Sequence, residues 1–322
     1  MNKYLITGFS GFVARHFVEY LENHEKPCMV KGIDILRPDF NINHYKNVKI
    51  SFENMDLLSK DRIKHIIDEF QPNYILHLAS FSSVAFSWNE PVQSFKNNTN
   101  IFLNLVDAVR KLNLLNTRIL SIGSSEEYGT VNKEKLPLRE DDRLNPVSPY
   151  AVARVAQETL SRVYANSYNL DIVMTRSFNH IGPLQNSVFV VSSWAKQLVE
   201  LKKAGKSRGR MVTGDVSIVR DFTDVRDVVR AYYLLLHNGC KGQVYNVCSG
   251  SGFPLKDIID MMAGQLNVEV EIHIDPRLIR PADNRIIIGS NEKIKQELGW
   301  ENRIPLEQSL QDIIKYWNTH TN

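Results

Sequence analysis

At 322 residues with 43% apolar side chains, the chain is long enough to bury a large core, and one large domain with a smaller lobe is expected. A net charge of +3 without any Lys/Arg block argues against nucleic acid as a partner. No apolar run approaches the length of a membrane span, the first residues read as strand rather than leader, and Cys28, Cys240 and Cys248 lack metal or disulfide spacing, so a cytoplasmic, metal-free protein is expected.

Lys3–Thr7 predicts the first strand. Gly8-Phe9-Ser10-Gly11-Phe12-Val13-Ala14 then turns the chain into a helix whose apolar face is Phe12, Val13, His16, Phe17, Tyr20 and Leu21. Strand, glycine turn and helix in this order form a dinucleotide-binding pattern. Gly8 permits the tight turn, Gly11 lets the backbone approach a pyrophosphate, and Ala14 allows helix and strand to pack closely. The free N–H groups of the helix N-terminus face the phosphates. The second strand, Met29–Ile33, ends in Asp34, at the spacing where a carboxylate reaches the adenosine ribose. There it accepts from the 2′-hydroxyl and repels a 2′-phosphate. NAD is therefore expected over NADP, although the nearby Arg37 could serve a phosphate.

Val48–Phe52 reads as the third strand, with Asp56-Leu57 closing the turn after it, and Asp61–Phe70 as an amphipathic helix. Tyr74–Ser80 is a near-continuous apolar strand, as expected when both faces are covered, and His77 within it reads as a core residue. A serine-rich loop, Ser80–Ser83, leads to a long helix from about Pro91 to Leu112 that carries Asn97 and Asn98. Alternating strands and helices imply an α/β fold with a doubly wound parallel sheet.

Arg118–Ile122 is a further strand, and Gly123-Ser124-Ser125-Glu126-Glu127-Tyr128-Gly129 follows it. Hydroxyls and carboxylates thus stand at a strand's carboxyl end, where open α/β sheets bind ligands. Ser148 and Pro149 mark the N-cap and first turn of a helix, and Tyr150 and Arg154, four apart, share one of its faces. Ile172–Arg176 is the next strand, leaving through Ser177-Phe178-Asn179-His180-Ile181-Gly182-Pro183. Beyond it the pattern loosens into a second lobe. A nucleotide-binding domain is expected over 1–176, its core continuing into parts of 210–250, with a substrate lobe mainly over 177–322. That lobe carries a helix at Ser192–Lys203, the runs Val219–Asp227 and Tyr245–Gly250, Arg277, Arg280-Pro281-Ala282-Asp283 and a final helix at Leu306–Trp317. Arg220 and Arg280 lie far apart in sequence. Two guanidinium forks suit the oxygens of a nucleoside diphosphate; surface ion pairs are the plainer reading.

Gly8-x-x-Gly11-x-x-Ala14, His77-Leu78-Ala79, Ser124, Tyr150, Asn179–Pro183, Arg220-Asp221-Phe222-x-Asp224-Val225 and Tyr245-Asn246-Val247, in this order, resemble the extended short-chain dehydrogenase/reductase family of nucleotide-sugar enzymes over nearly the whole chain. Arg280–Asp283 followed by Gly289-Ser290 is similar to the branch that holds GDP-mannose 4,6-dehydratases and GDP-4-keto-6-deoxy-mannose reductases. The resemblance implies a Rossmann-type sheet with a smaller C-terminal α/β lobe, and a homodimer or homotetramer built through a bundle that includes the Tyr150 helix. It implies a catalytic group of Ser124, Ser125, Glu126, Tyr150 and Arg154. The expected cofactor set is Gly8, Ser10, Gly11, Phe12, Val13, Asp34, Arg37, Asp56, Leu57, Leu78, Ala79, Ser80, Asn98, Tyr150, Arg154 and Ser177. The expected substrate set is Ser82, Ser83, Asn179, Val188, Lys196, Arg220, Arg280 and Asp283, with both arginines on the phosphates of a GDP-sugar.

One position departs from the family. Its tyrosine is followed four residues later by lysine, which lowers the phenol's pKa and holds the nicotinamide ribose; here Arg154 stands there. A guanidinium keeps the charge and the donors but is larger, planar and effectively never deprotonated. Electrostatic activation survives the exchange, whereas a proton relay does not. Glu126, two residues beyond Ser124, fills the place of the base that a 4,6-dehydratase needs for the C5 proton. With the NAD preference of Asp34, it points to an NAD-dependent GDP-sugar 4,6-dehydratase. The alternatives are a GDP-4-keto-6-deoxy-mannose reductase forming GDP-rhamnose, a related epimerase, or an inactive protein that binds NAD and a GDP-sugar.

Overall fold

Consecutive residues of the first strand, β1 (Lys3–Thr7), are buried on opposite sides: Tyr4 and Ile6 in one apolar cluster, Leu5 in another. A strand apolar on both faces must lie between two helical layers. The computed structural model describes residues 1–279 and 284–321 and has this arrangement. β2 (Cys28–Asp34), β3 (Val48–Asn54), β4 (Tyr74–His77), β5 (Arg118–Ser124) and β6 (Asp171–Ser177) follow. The chain then runs through β7 (Asn179–Ile181), β8 (Arg208–Thr213), β9 (Val219–Asp224), β10 (Val244–Val247), β11 (Gly252–Pro254), β12 (Glu269–Ile274) and β13 (Ile286–Ile287). The main sheet has seven parallel strands in the order β10-β6-β5-β4-β1-β2-β3. The strand order reverses between β1 and β4, which opens a crevice at their carboxyl ends.

The helices are α1 (Phe12–His24), α2 (Lys60–Phe70), α3 (Val84–Asn89), α4 (Pro91–Phe95), α5 (Ile101–Lys111), α6 (Pro149–Ser167), α7 (Val190–Lys203), α8 (Val225–Asn238), α9 (Leu255–Leu266), α10 (Glu292–Leu298) and α11 (Leu306–His320). α1, α8 and α10 cover one face of the sheet; α2, α5 and α6 cover the other. β10 and α10 thus return the C-terminal part of the chain to the main sheet. β11, β9, β13 and β7 form a smaller sheet, and β8 pairs with β12. Against them α7, α9 and α11 enclose a separate core around Trp194, Leu198, Ile259 and Ile313. No helix among the described residues is long and apolar enough to cross a membrane.

Two expected elements differ in detail. The long helix expected from Pro91 to Leu112 is interrupted by a π-helical turn at Lys96–Asn100 between α4 and α5. Asn98 lies in that turn, where its Nδ2 donates to the carbonyls of Ser94 (2.9 Å) and Phe81 (3.2 Å). A side chain bonding into the ladder favours such a bulge. The strand expected to reach Ser80 ends at His77. Beyond it the Leu78 N–H still reaches the Thr7 carbonyl, but the Ala79 N–H donates to Thr7 Oγ1 instead of continuing the ladder.

Candidate active site

The crevice between β1 and β4 widens into a cleft of about 1470 Å³ that runs from the main sheet to the smaller lobe. Its floor is the turn after β1. Gly8 has φ +69°, and a Cβ there would lie 2.7 Å from the Ala79 nitrogen, so only glycine brings these two loops together. The Gly11 N–H donates to the Gly8 carbonyl, and Gly11 caps α1 with no side-chain partner for the helix's first N–H groups. An uncapped helix N-terminus of this kind is an anion site. Asp34, at the end of β2, is pinned by the N–H groups of Ser10 (3.0 Å) and Leu36 (2.9 Å). Gly8, Ser10, Gly11, Phe12, Val13, Asp34, Asp56, Leu57, Leu78, Ala79 and Ser80 all line this half of the cleft. Together they could hold a dinucleotide: a bare turn, an unsatisfied helix terminus and a carboxylate at the far strand end.

Ser124, Glu126, Tyr150, Arg154 and Ser177 line the middle of the cleft. Ser148 caps α6, its Oγ accepting from the Ala151 N–H at 3.2 Å, and Pro149 occupies the first turn. Tyr150 and Arg154 therefore lie one above the other, the guanidinium carbon 5.1 Å from the ring centre. Both are buried. Arg154 Nη1 donates to the Ile122 carbonyl (3.1 Å) and to Gln157 Oε1 (2.7 Å), and its Nε is buried without a partner among the described residues. Ser124 Oγ accepts from the Glu126 N–H at 3.2 Å.

The two adjacent glutamates part company. Glu126 is half-buried and faces the cleft. Glu127 is fully buried; its Oε1 accepts from the Ser124 N–H at 2.7 Å, closing a capping box. Burial and the neighbouring Glu158 carboxylate push its carboxyl well above the usual range. Arg176 holds Glu158 in a two-pronged pair at 2.8 and 2.9 Å. Glu127 thus fixes the serine's backbone, whereas Glu126 lines the cleft. His77 is a core residue: burial lowers it to about 3, and its Nδ1 meets Thr7 Oγ1 at 2.9 Å.

Ser82, Ser83, Asn179, Val188 and Arg220 line the half of the cleft toward the smaller lobe. Arg220 is buried on β9, with Nη1 donating to the Val219 and Asn284 carbonyls. Its neighbour Asp221 points the other way and accepts from Ser249 N, Ser249 Oγ, Gly250 N and Gly289 N.

Four expected site residues stand off the cleft. Ser125 and Asn98 are buried beneath it. Arg37 is exposed outside its lining. Lys196 faces away on α7, 3.9 Å from Glu200 and over the Trp317 ring. Arg280 and Asp283 lie outside the described residues. Conversely, Trp88, His180, Asp215 and Tyr232 line the cleft without having been singled out as ligand-binding residues. Tyr232 sits mid-helix in an apolar pattern and bonds Ser177 Oγ at 2.7 Å. Only the fold brings it to the site. No cluster of His, Cys, Asp and Glu suited to a metal occurs among the described residues.

The GDP-mannose 4,6 dehydratase family model matches residues 5–313. The chain is 32% identical over 318 residues to a GDP-6-deoxy-D-mannose reductase of Pseudomonas aeruginosa, covering 99% of this chain and 98% of that one. It is 25% identical over 353 residues to a GDP-mannose 4,6-dehydratase of Yersinia enterocolitica, covering 98% and 93%. A solved structure of RMD from Pseudomonas aeruginosa complexed with NADPH superposes over 100% of both chains with a TM-score of 0.86 and 31% identity. With the sheet, the glycine turn and the serine–tyrosine pair in place, the chain belongs to the GDP-mannose 4,6 dehydratase family of extended short-chain dehydrogenases/reductases.

Proposed function

We propose that the chain is a nucleotide-sugar 4-ketoreductase that binds a GDP-linked 4-keto-6-deoxy-hexose and reduces C4 to the alcohol. The carrying observation is the 32% identity along the full length to a GDP-6-deoxy-D-mannose reductase, against 25% to the dehydratase. The comparisons favour this alternative over the dehydratase that Asp34 and Glu126 suggested. Gly8, Ser10, Gly11, Phe12 and Val13 would hold a reduced nicotinamide dinucleotide, which would supply the hydride when bound. Tyr150 donates the proton to the C4 oxygen. Ser124 Oγ, which accepts from Glu126 N, keeps its own hydrogen to donate to the same oxygen. Arg154 sets a fixed positive charge beside the Tyr150 ring, and Arg220 meets the diphosphate. The carboxylate of Asp34 on the lining supports NADH over NADPH, while the related NADPH complex supports the opposite choice. Measured dissociation constants for the two decide it.

The second reading, 4,6-dehydration, draws on Glu126, which lines the cleft two residues beyond Ser124. Self-association fits the exposed Val92, Phe95 and Val152 around an apolar groove between α4 and α6; light scattering tests it. For the reductase reading, the assay is oxidation of NADH or NADPH, followed by near-ultraviolet absorbance, on adding GDP-4-keto-6-deoxy-mannose. Turnover that depends on the keto sugar is expected. Its absence, together with water loss from GDP-mannose, would move the assignment to the dehydratase.

A further inference from the structure

We propose that Gln157 is a positioning residue that fits this site to arginine in place of lysine, and that Arg154 and Gln157 act as one unit. The inference rests on the reading of the cleft as a dinucleotide site. Gln157 is 1% exposed and does not line the cleft, so it acts only through what it holds. Its Oε1 accepts from Arg154 Nη1 at 2.7 Å. Its Nε2 donates to Ser121 Oγ (2.9 Å) and to the Ile122 carbonyl (3.1 Å), which also accepts from Arg154 Nη1. Ser161 Oγ donates to Ser121 Oγ at 3.0 Å and closes the cluster. The amide therefore ties the guanidinium on α6 to the end of β5, two residues before Ser124.

A guanidinium has five N–H donors in a rigid fork, and which edge faces a ligand depends on which edge is anchored. Among the described residues, the hydrogen bonds of Arg154 are all made by Nη1. Gln157 supplies the shorter of the two. With Nη1 held on the protein side and Nε buried, the guanidinium carbon is kept over the Tyr150 ring while the residue lines the cleft. Without that acceptor the long side chain regains rotamers, and the site loses the charge placement that a shorter lysine gives without help. Lysine at 154 is a compact ammonium on a flexible stem and has no edge to orient. Gln157 should matter little to it.

The experiment is a double-mutant cycle read by cofactor binding, using whichever of NADH and NADPH the wild type binds more tightly, titrated by nicotinamide fluorescence. Gln157→Met keeps the volume and removes the acceptor. It should weaken binding about tenfold or more with Arg154 present, the scale of a hydrogen bond to a charged group. In an Arg154→Lys background the same change should weaken it less than about threefold. Equal factors in the two backgrounds would reduce Gln157 to a structural member of the Ser121–Ser161 cluster and overturn the proposal. If Gln157→Met does not fold, Gln157→Leu removes the same acceptor, and equal factors for it in the Arg154 and Arg154→Lys backgrounds also overturn the proposal. A wild-type chain that binds neither nucleotide would instead refute the dinucleotide reading, and this inference with it.

Discussion

Asp221 sets two effects against each other. It is 1% exposed, which disfavours its charge, yet four donors surround it: Ser249 N at 2.7 Å, Ser249 Oγ at 2.6 Å, Gly250 N at 3.0 Å and Gly289 N at 3.2 Å. Burial is the larger effect and raises the carboxyl to about 6. The folded chain then keeps a proton that the unfolded chain has lost above pH ~4. This group's stabilising contribution is fully present below pH ~4 and is lost as pH rises through about 6. Two pH units correspond to roughly 3 kcal/mol, or about 5 °C in melting temperature for a chain of this size. Thermal unfolding of wild type and Asp221→Asn, stepped between pH ~4 and ~8, isolates the effect because the other titrating groups cancel in the difference. Relative to the variant, wild type should lose about 5 °C as the pH rises across that window. A flat difference would show that the four donors cancel burial, and a wild type that gains on the variant as pH rises would show that they outweigh it; either refutes the reasoning. Asp221 is the clamp between β9 and the chain at Ser249–Gly250 and Gly289.

Three further outcomes follow from the geometry. Gly8→Ala forces a Cβ to within 2.7 Å of the Ala79 nitrogen at φ +69°; it should cost about 2–4 kcal/mol of stability and more than tenfold in dinucleotide affinity, and an unchanged titration would contradict the floor of the cleft. Arg220→Ala should weaken GDP binding more than tenfold by calorimetry while dinucleotide affinity stays within about twofold; unchanged GDP affinity would misplace the phosphate site. Glu126→Gln should leave reduction of a 4-keto-6-deoxy sugar within a few-fold of wild type, since reduction needs no base at C5; a fall of ~10²–10⁴ would favour elimination chemistry.

Much of this fold is legible in the chain because local rules and tertiary demands agree. Tyr4-Leu5-Ile6 is an unbroken apolar run because both faces of the strand are covered, and Gly8, Gly11 and Ala14 stand where a turn, a phosphate approach and a helix contact need them. Ser148-Pro149 announces α6 by capping alone, and the four-residue step from Tyr150 to Arg154 fixes their stacking. What escapes is set by side-chain partners that only packing reveals. Glu126 and Glu127 are indistinguishable as adjacent letters; one faces the cleft, while the other is spent on the Ser124 N–H. The resemblance places Asn98 at the cofactor, yet its Nδ2 is spent on the Ser94 and Phe81 carbonyls. Lys196 sits on the outward side of α7, a phase that the periodicity of a half-buried helix does not settle. Gln157 and Tyr232 lie at mid-helix positions that carry no motif, and they reach the site because α6 and α8 pack on the sheet at that level.

The most direct test of the central claim is to give the pure protein two substrates side by side and weigh the products. GDP-4-keto-6-deoxy-mannose with NADH or NADPH should gain two hydrogens, one molecule of nicotinamide being oxidised per sugar, while GDP-mannose without added cofactor should come back unchanged. Loss of one water from GDP-mannose, with the keto sugar untouched, would contradict the account.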